Sequence, residues 1–335
     1  MNSFGSLFRV TILGESHGPG VGVVVDGCPA GLKLAPDDFA TDLGRRSGGT
    51  KGSTARKEKD EPRLLSGVYK GYTCATPLLV WFENTDTDSS SYDAIEHTPR
   101  PSHADFTSRV KYGGFADPRG GGMFSGRLTT GLVAAGVVAK KLLKGVDIRA
   151  KLIQAGGKGT TEKEIEKEIE RASQEGDSVG GLVQCAVRGL PVGLGEPWFD
   201  SAESLLSHML FAIPGVKGVE FGTGFECAKM RGSVCNDSLI DAHGKTRTNH
   251  SGGINGGITN GNDLVVRVAF RPTPSIYQLQ DTVDLREHRQ VKIQVKGRHD
   301  SCIALRAVVV VEAACAVVLA DLMMSQQFMG RIVDS

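Results

Sequence analysis

Paired cysteines, aromatic side chains, excess charge of one sign and uninterrupted apolar runs are all scarce in this sequence of 335 residues. The seven cysteines are scattered and lack CxxC spacing, which favours reduced thiols in a cytosol over a disulfide framework. A net charge of +1 gives no general attraction to nucleic acid or to membranes. Function is therefore expected to reside in particular loops rather than in bulk composition.

Membrane, metal and common nucleotide signals are also missing. The most apolar stretch, Ala304 to Met324, is interrupted by Arg306, Glu312 and Asp321, which predicts a buried helix rather than a membrane span. The opening MNSFGSLFRV has no basic segment before an apolar run, so no signal peptide is expected. No histidines or cysteines have metal-ligand spacing, so no metal is expected. GPGVG and GGTKGST match neither the Rossmann nor the P-loop pattern.

Strands and helices are predicted in alternating groups. Short β-branched segments predict strands at FRVTILG, GVGVVVDG, LLSGVYKG, ATPLLVWFEN and DLVVRVAFRPTPS. Helices are predicted at LAPDDFATDLGRR, SGRLTTGLVAAGVVAKKLLKG, TTEKEIEKEIERASQEG, SAESLLSHMLFAIPG and from about Cys302 to about Gln327. Because strands come in pairs with helices between them, the pattern indicates an α+β fold. No linker interrupts the chain, so a single domain over residues 1–335 is expected.

Five polar loops carry glycine, arginine or a proton carrier in different combinations. GESHGPG adds a histidine and a carboxylate to glycine, and RRSGGTKG, RPSHADF…DPRGGGMFSGR and KGRHD combine glycine with arginine. The fifth loop, FRPTPS, joins arginine to two prolines and two hydroxyls. Glycine lets backbone N–H groups approach an anion, and arginine offers a bidentate fork to carboxylate or phosphate. A single loop of this kind is more often a solvated turn. Five of them in a nearly neutral protein indicate a polyanionic substrate, or a substrate together with a phosphorylated cofactor.

Two histidines stand out as candidate proton donors. A lone histidine is more often a buried structural residue, but His17 and His103 lie in polar loops with a carboxylate two residues away, Glu15 or Asp105. An imidazole that titrates near neutrality is a natural proton donor at pH 7. Asp300, in the KGRHD loop, is either a base or the partner of a neighbouring arginine.

Together these segments resemble one family. FGSLFRVTILGESHGPGVGVVVDGCPAGL, RPSHADF, KYGGF…RGGG, NDSL, SGGINGGI, RPTPSI and GRHDSCIALRAVVVVEAACAVVLADL closely resemble chorismate synthase, from Phe4 to about Met324. The resemblance implies a lyase that converts 5-enolpyruvylshikimate 3-phosphate to chorismate and phosphate by 1,4-elimination, in the shikimate pathway of aromatic amino acid biosynthesis. It implies a requirement for reduced FMN without net redox change, with NADPH as a candidate electron source.

The resemblance also implies an architecture and an assembly. The family fold is a β-α-β sandwich in which central helices lie between antiparallel sheets. Its members are homotetramers that act on a small-molecule substrate, with no nucleic acid or membrane partner. A cytoplasmic location is expected.

Residue roles carry over from the family onto matching positions. The resemblance implies that His17 protonates the departing phosphate, that Ser16 supports a hydrogen-bond relay to the flavin, and that His103 protonates the reduced flavin. It links Asp300 to the flavin N5 as the substrate proton is taken up. The implied cofactor contacts are Ser125, Met123, Phe124, Pro214, Gly215, Gly256, Arg271, Pro272, Thr273, Pro274, Ser275 and Arg298. The implied substrate or NADP contacts are Arg45, Arg46 and Arg127.

One loop departs from the common pattern of the family. RGGGMFSGRLT stands where RGGGRSSARET is usual, so that Met123 replaces an arginine and Phe124 a serine. These two side chains offer packing but no charge, and the FMN contacts are expected to shift to Ser125 and the other positions. Two alternatives remain: a flavin reductase or other FMN oxidoreductase on the same scaffold, and a non-catalytic polyanion binder such as an RNA-binding protein. The aromatic content of 6% disfavours stacking on bases.

Overall fold

The computed structural model describes residues 1–48, 60–85, 97–157, 159, 161–295 and 299–329. The described strands are β1 (Ser3–Phe4), β2 (Arg9–Gly14), β3 (Gly20–Asp26), β4 (Arg63–Ser66), β5 (Val68–Tyr69), β6 (Tyr72–Thr73), β7 (Leu78–Glu83), β8 (Asp147–Ala155), β9 (Gly181–Arg188), β10 (Val216–Phe221), β11 (Ile254–Asn255), β12 (Ile258–Thr259), β13 (Leu264–Phe270), β14 (Gln280–Asp284) and β15 (Arg289–Ile293). The described α-helices are α1 (Ala40–Ser47), α2 (Asp105–Lys111), α3 (Thr129–Leu142), α4 (Glu162–Gln174), α5 (Ala202–Phe211), α6 (Gly232–Cys235) and α7 (Ala304–Met329).

Two antiparallel sheets form the outer layers of the sandwich. The first has the strand order β1-β2-β3-β7-β4, and the second has the order β10-β13-β9-β8. In β13 the residues alternate between buried and partly exposed, with Leu264, Val266, Val268 and Phe270 facing the core. This period of two is what a strand with one buried face requires.

Two helices fill the space between the sheets. Helix α3 packs against β3 of the first sheet and against α7, while α7 packs against β8 and β9 of the second sheet. The order of layers is therefore sheet, helix, helix, sheet. The predicted α+β fold, with central helices between antiparallel sheets, is confirmed.

Close approach of the two central helices depends on small side chains. A Cβ atom at Gly136 of α3 would lie 2.3 Å from the Cβ atom of Ala313 in α7. On the opposite side of α3, a Cβ atom at Gly131 would lie 2.7 Å from the Gly22 carbonyl oxygen in β3. Both contacts are shorter than carbon and oxygen atoms tolerate, so these glycines set the spacing of the layers.

Most predicted elements agree with the structure. The predicted capping box is present at the start of α4, where Thr161 accepts from the Glu164 N–H and the Glu164 carboxylate accepts from the Thr161 N–H. The segment after Leu34 forms a 3₁₀ turn, Pro36–Phe39, that leads into α1. The described strands and α-helices that were not predicted are strands β1, β6, β8, β9, β10, β11, β12, β14 and β15 and helices α2 and α6.

The apolar C-terminal helix belongs to the core. Among the described residues, Ala304–Gln326 is the one helix long and apolar enough to cross a membrane, and 83% of its most apolar window is buried within the protein. The charged residues that interrupt it have partners. Asp321, for example, accepts hydrogen bonds from the backbone N–H groups of Ser6, Leu7 and Phe8. The prediction of a buried helix is confirmed.

Replacing Gly136 with Ala is expected to destabilise the protein by about 1–3 kcal/mol, because the added methyl group forces α3 and α7 apart. Gly44 is the matched control. It lies in α1 and its added methyl group would meet nothing within 4 Å, so Gly44→Ala is expected to stabilise by about 0.5–1 kcal/mol through helix propensity. Urea unfolding of both variants checks this. A Gly136→Ala protein as stable as Gly44→Ala would show that the helices are not in limiting contact.

Candidate active site

One cavity of about 380 Å³ gathers most of the predicted site residues. It lies where the C-terminal end of α1, the segment before α3, the turn after α5, the loop after β13 and the start of α7 meet. The predicted residues on its wall are Arg46, His103, Ser125, Arg127, Pro214, Gly215, Arg271, Thr273, Pro274, Ser275 and Asp300. This volume falls in the range of ligand pockets, about 300–1,000 Å³. We call this space the main cavity.

Other predicted residues do not line the main cavity. Among the described residues these are Ser16, His17, Arg45, Met123, Phe124, Gly256 and Pro272. Gly256 is exposed in the turn between β11 and β12. Arg298 lies outside the described residues. The ligand contacts assigned to these positions remain predictions.

A buried carboxylate that the sequence analysis missed joins two arginines of the cavity wall. Asp60 accepts hydrogen bonds from Arg46 and Arg127, one on each carboxylate oxygen, and from the Ser47 hydroxyl at 2.8 Å. The side chains of Asp60, Arg46 and Arg127 are only 3%, 6% and 2% exposed. Burial would raise the pKa of Asp60, but the attraction of the two guanidinium groups lowers it below its usual value. The carboxylate is therefore ionised at neutral pH.

Arg127 is held by protein groups on several sides. Its Nε donates to the Asn84 side-chain oxygen at 3.1 Å, and its terminal nitrogens donate to Asp60, to the Glu83 carbonyl at 3.4 Å and to the Thr130 hydroxyl at 3.4 Å. A guanidinium with this many fixed partners is well suited to orient its neighbours. Its predicted contact with a ligand remains a prediction.

Arg46 retains donor capacity. Its Nε is buried without a hydrogen-bond partner among the described residues. Burial lowers the pKa of Arg46, and the Asp60 carboxylate opposes this effect. The Arg46 carbonyl accepts from Arg306 Nε at 2.9 Å, and Arg306 forms an ion pair with Asp300 at 3.3 Å. Arg306, which the sequence analysis did not single out as a site residue, thus ties the candidate base to the arginines.

His103 faces the loop after β13. Its Nε2 lies 2.8 Å from the Ser275 hydroxyl, and either atom can donate. Burial, and then the nearby Arg100 guanidinium, lower the pKa of His103 to about 4. Asp105 opposes this only in part, because Arg100 binds that carboxylate at two points, each 2.8 Å long. This differs from the expected titration near neutrality, and an anion bound beside the imidazole would raise its pKa again.

The loop that contains His17 connects β2 to β3. Ser16 is 1% exposed, and its N–H donates to the Gly122 carbonyl at 3.2 Å. Gly120, with φ of +59°, packs directly on this loop: a Cβ atom there would lie 2.4 Å from the His17 Cδ2 atom and 2.7 Å from the Ser16 hydroxyl oxygen. The absence of a side chain at Gly120 therefore leaves room for the His17 ring.

The variant segment at Met123 and Phe124 lies away from the main cavity wall. Phe124 lines a second cavity of about 350 Å³, together with Arg100, Asp117 and other residues. Its ring centroid lies 6.4 Å from that of Tyr112. Met123 lines neither cavity. The next residue, Ser125, is on the main cavity wall.

Arg45 has a structural partner. Its guanidinium binds Glu312 of α7 at two points, 2.7 and 2.8 Å long. Glu312 also accepts from Lys140 at 3.1 Å and from the Ala150 N–H at 2.9 Å. The negative charge of Glu312, which lies within α7, is thereby neutralised by Arg45 and Lys140. Of the arginine pair at the end of α1, Arg46 faces the cavity and Arg45 faces the core helix.

Among the described residues, no group of three or more His, Cys, Asp and Glu side chains is placed to hold a metal ion. The chemistry that the described cavity offers is that of arginines for anions and of imidazole and carboxylate for protons.

Comparisons with protein families, curated proteins and solved structures agree with one another. A family model described as chorismate synthase matches residues 8–324. A protein named chorismate synthase from Chitinophaga pinensis is 53% identical over 99% of both chains, and one from Pyrococcus abyssi is 49% identical over 95% of this chain and 96% of its own. A solved structure described as a crystal structure of chorismate synthase has a TM-score of 0.74 at 27% identity, covering 96% of this chain and 93% of its own.

Replacing Gly120 with Ala is expected to displace the His17 ring, because the new methyl group would occupy its position. Gly121→Ala is the matched control: Gly121 also has positive φ, +82°, but its nearest neighbour would be a Ser125 carbon at 3.9 Å. Both variants should lose about 1 kcal/mol or more to the left-handed backbone conformation. Crystal structures decide. An unmoved His17 ring in Gly120→Ala would contradict the packing described.

Proposed function

Because the chain belongs to the chorismate synthase family, we propose that it acts as a single-domain lyase that eliminates phosphate and a proton from 5-enolpyruvylshikimate 3-phosphate to give chorismate. The observation that carries the proposal is the composition of the main cavity, which combines His103 and Asp300 with Arg46, Arg271 and Arg306. The substrate has two carboxylates and a phosphate. Arginines on a partly buried wall suit such a polyanion.

We further propose that reduced FMN binds in the main cavity. The Thr273 hydroxyl, in a loop that lines the cavity, is buried without a hydrogen-bond partner among the described residues. The neighbouring Ser125 and Ser275 add hydroxyls, and Arg271 adds a positive charge. Such a wall suits the ring heteroatoms and phosphate of FMN. Pro214 and Gly215, in the turn after α5, and the loop from Arg271 to Ser275 would form the cofactor contacts, with Arg298 added from outside the described residues.

The protein's own groups would handle the protons. His17 donates a proton to the departing phosphate, and the Ser16 hydroxyl beside it continues the hydrogen-bond chain. Asp300, which lies 3.3 Å from Arg306, would assist at the flavin N5 as the substrate proton is taken up there. Bound reduced FMN would supply electron density to the cleavage of the carbon–oxygen bond and end the cycle unchanged.

His103 would serve as a proton store whose charge follows ligand binding. Its pKa of about 4 leaves the imidazole neutral at pH 7 in the protein alone. Anionic ligands in the cavity would favour the charged imidazolium. His103 would therefore take up a proton when the ligands bind. The Ser275 hydroxyl, 2.8 Å from Nε2, keeps the ring directed to the cavity wall.

The assembly and location are proposed on further grounds. Trp198, Phe199 and Phe225 are 84%, 88% and 79% exposed, and large exposed aromatic side chains are typical of contact surfaces. They support the homotetramer. The seven cysteines are all free, which supports a reducing cytoplasm. NADPH as the source of electrons for the flavin rests on the family resemblance.

Anaerobic turnover with reduced FMN tests the proposal. Phosphate release is expected to continue for many turnovers per reducing equivalent, because the elimination is redox-neutral, and oxidised FMN is expected to support none. In the same assay, His17→Ala and His103→Ala should each lose about 10²-fold or more in turnover, the typical effect of lost general acid–base catalysis. His243→Ala, in an exposed loop, is the control and should retain activity.

Different results would assign a different function. Consumption of one NADPH for each product would identify an oxidoreductase or flavin reductase. Binding of single-stranded RNA in preference to FMN would identify a polyanion binder. Near wild-type turnover by His17→Ala or His103→Ala with saturating reduced FMN would remove that histidine from the mechanism.

A further inference from the structure

The amide of Asn84 binds both ends of the loop that contains His17. Asn84 comes directly after β7, and its Nδ2 donates to the Glu15 carbonyl at 2.9 Å and to the Gly18 carbonyl at 2.8 Å. Residues 15–18 form a turn that we call the histidine loop. The Asn84 backbone N–H donates to the carbonyl of the next residue, Pro19, at 3.2 Å. Asn84 thus donates hydrogen bonds to three carbonyl groups in and directly after this turn, those of Glu15, Gly18 and Pro19.

The oxygen of the same amide faces the arginines. Asn84 Oδ1 accepts from Arg127 Nε at 3.1 Å. A guanidinium can only donate and a carbonyl can only accept, so the two sides of the amide cannot be exchanged without losing all three side-chain hydrogen bonds. The orientation of Asn84 is therefore fixed by its partners.

Arg127 connects Asn84 to the wall of the main cavity through further hydrogen bonds. It binds Asp60, and Asp60 binds Arg46, whose carbonyl accepts from Arg306. The hydrogen-bonded series runs from the histidine loop through Asn84 to the arginines of the cavity wall. This series connects the histidine loop to these arginines through side-chain hydrogen bonds.

We propose that Asn84 is a positioning residue. It holds the histidine loop, and with it His17, at a fixed position relative to the arginines of the main cavity. The inference rests on the proposed role of His17 as a proton donor. Asn84 is not among the residues that line the main cavity, and it acts through the backbone of the loop.

The physical reason lies in the weak internal structure of the loop. The loop contains Gly18 and follows Gly14, and within it the Gly18 N–H donates to the Glu15 carbonyl at 3.2 Å. The Ser16 N–H adds a bond to Gly122. Proton transfer requires the donor within hydrogen-bond reach of its target, and a misplacement of about 1 Å can cost about 10²-fold in rate. A fixed amide that clamps both ends of the loop supplies this precision.

Asn84→Asp separates the two functions of the amide. The substituted carboxylate has nearly the same shape and still accepts from Arg127, but it cannot donate, and it faces two carbonyl oxygens with like partial charge. Asn84→Ala removes all three contacts without adding a charge. Asn262→Asp is the matched control, because the Asn262 amide donates to the Gly244 carbonyl at 3.0 Å and accepts from the Thr246 N–H at 3.1 Å, outside the main cavity.

The test combines histidine-labelled NMR with steady-state kinetics. The His17 imidazole resonances, assigned with His17→Gln, are expected to shift or broaden in both Asn84 variants and to stay in place in Asn262→Asp. With reduced FMN, kcat should fall about 10-fold or more while KM changes by less than about 3-fold, because binding groups remain and the proton donor moves.

Three outcomes overturn the proposal. The first is a pair of folded Asn84 variants with unchanged His17 resonances. The second is unchanged kcat despite displaced His17 resonances. The third is the same loss of kcat in Asn262→Asp, which would indicate general destabilisation. A wild-type protein without turnover would instead contradict the proposed function, and the NMR comparison would still decide whether Asn84 positions His17.

Discussion

The arrangement of the site depends on a single buried carboxylate between two buried arginines. Taken alone, each of these charges would cost several kcal/mol to remove from water. Asp60 can satisfy both Arg46 and Arg127 because it has two oxygens and faces one arginine with each. The three groups together carry one excess positive charge. The cavity wall at these three residues is therefore buried and positively charged. An anionic ligand can balance the remaining charge.

The layers of the fold bring this wall together. Helix α1 ends at the arginine pair, α3 begins just after Arg127, and α7 begins just after Asp300. The three helices pack on one another, so their ends meet at one edge of the helical layer. The close contact between Gly136 and Ala313 sets how near α3 and α7 approach. The spacing of the helices in the core therefore determines the distances between the residues of the site.

Sequence reasoning could find the elements with strong local signals. The β-branched strands, the capping box at Thr161 and the loops rich in glycine and arginine each carry a pattern that tertiary contacts do not alter. Strand β9 carries the same alternation as β13, with Val183, Cys185 and Val187 buried, and the sequence analysis did not recognise it. Asp60 could not be recognised: it lies in the charged run KEKDEP, which has the composition of a solvated surface. Only the fold shows that two arginines enclose it. Family resemblance supplied the residue roles, but it did not show that Phe124 faces the second cavity.

We infer that Asp60 holds Arg46 in place for an anionic ligand and does not compete with that ligand for the guanidinium. The most direct measurement is the Kd of 5-enolpyruvylshikimate 3-phosphate for wild type and Asp60→Asn, by calorimetry with oxidised FMN present so that no turnover occurs. If Asp60 positions the arginine, Asp60→Asn should bind the substrate about 10- to 100-fold more weakly, equivalent to about 1.4–2.8 kcal/mol. Equal or tighter binding by Asp60→Asn would contradict the account, because it would show that the carboxylate only neutralises charge that the substrate could use.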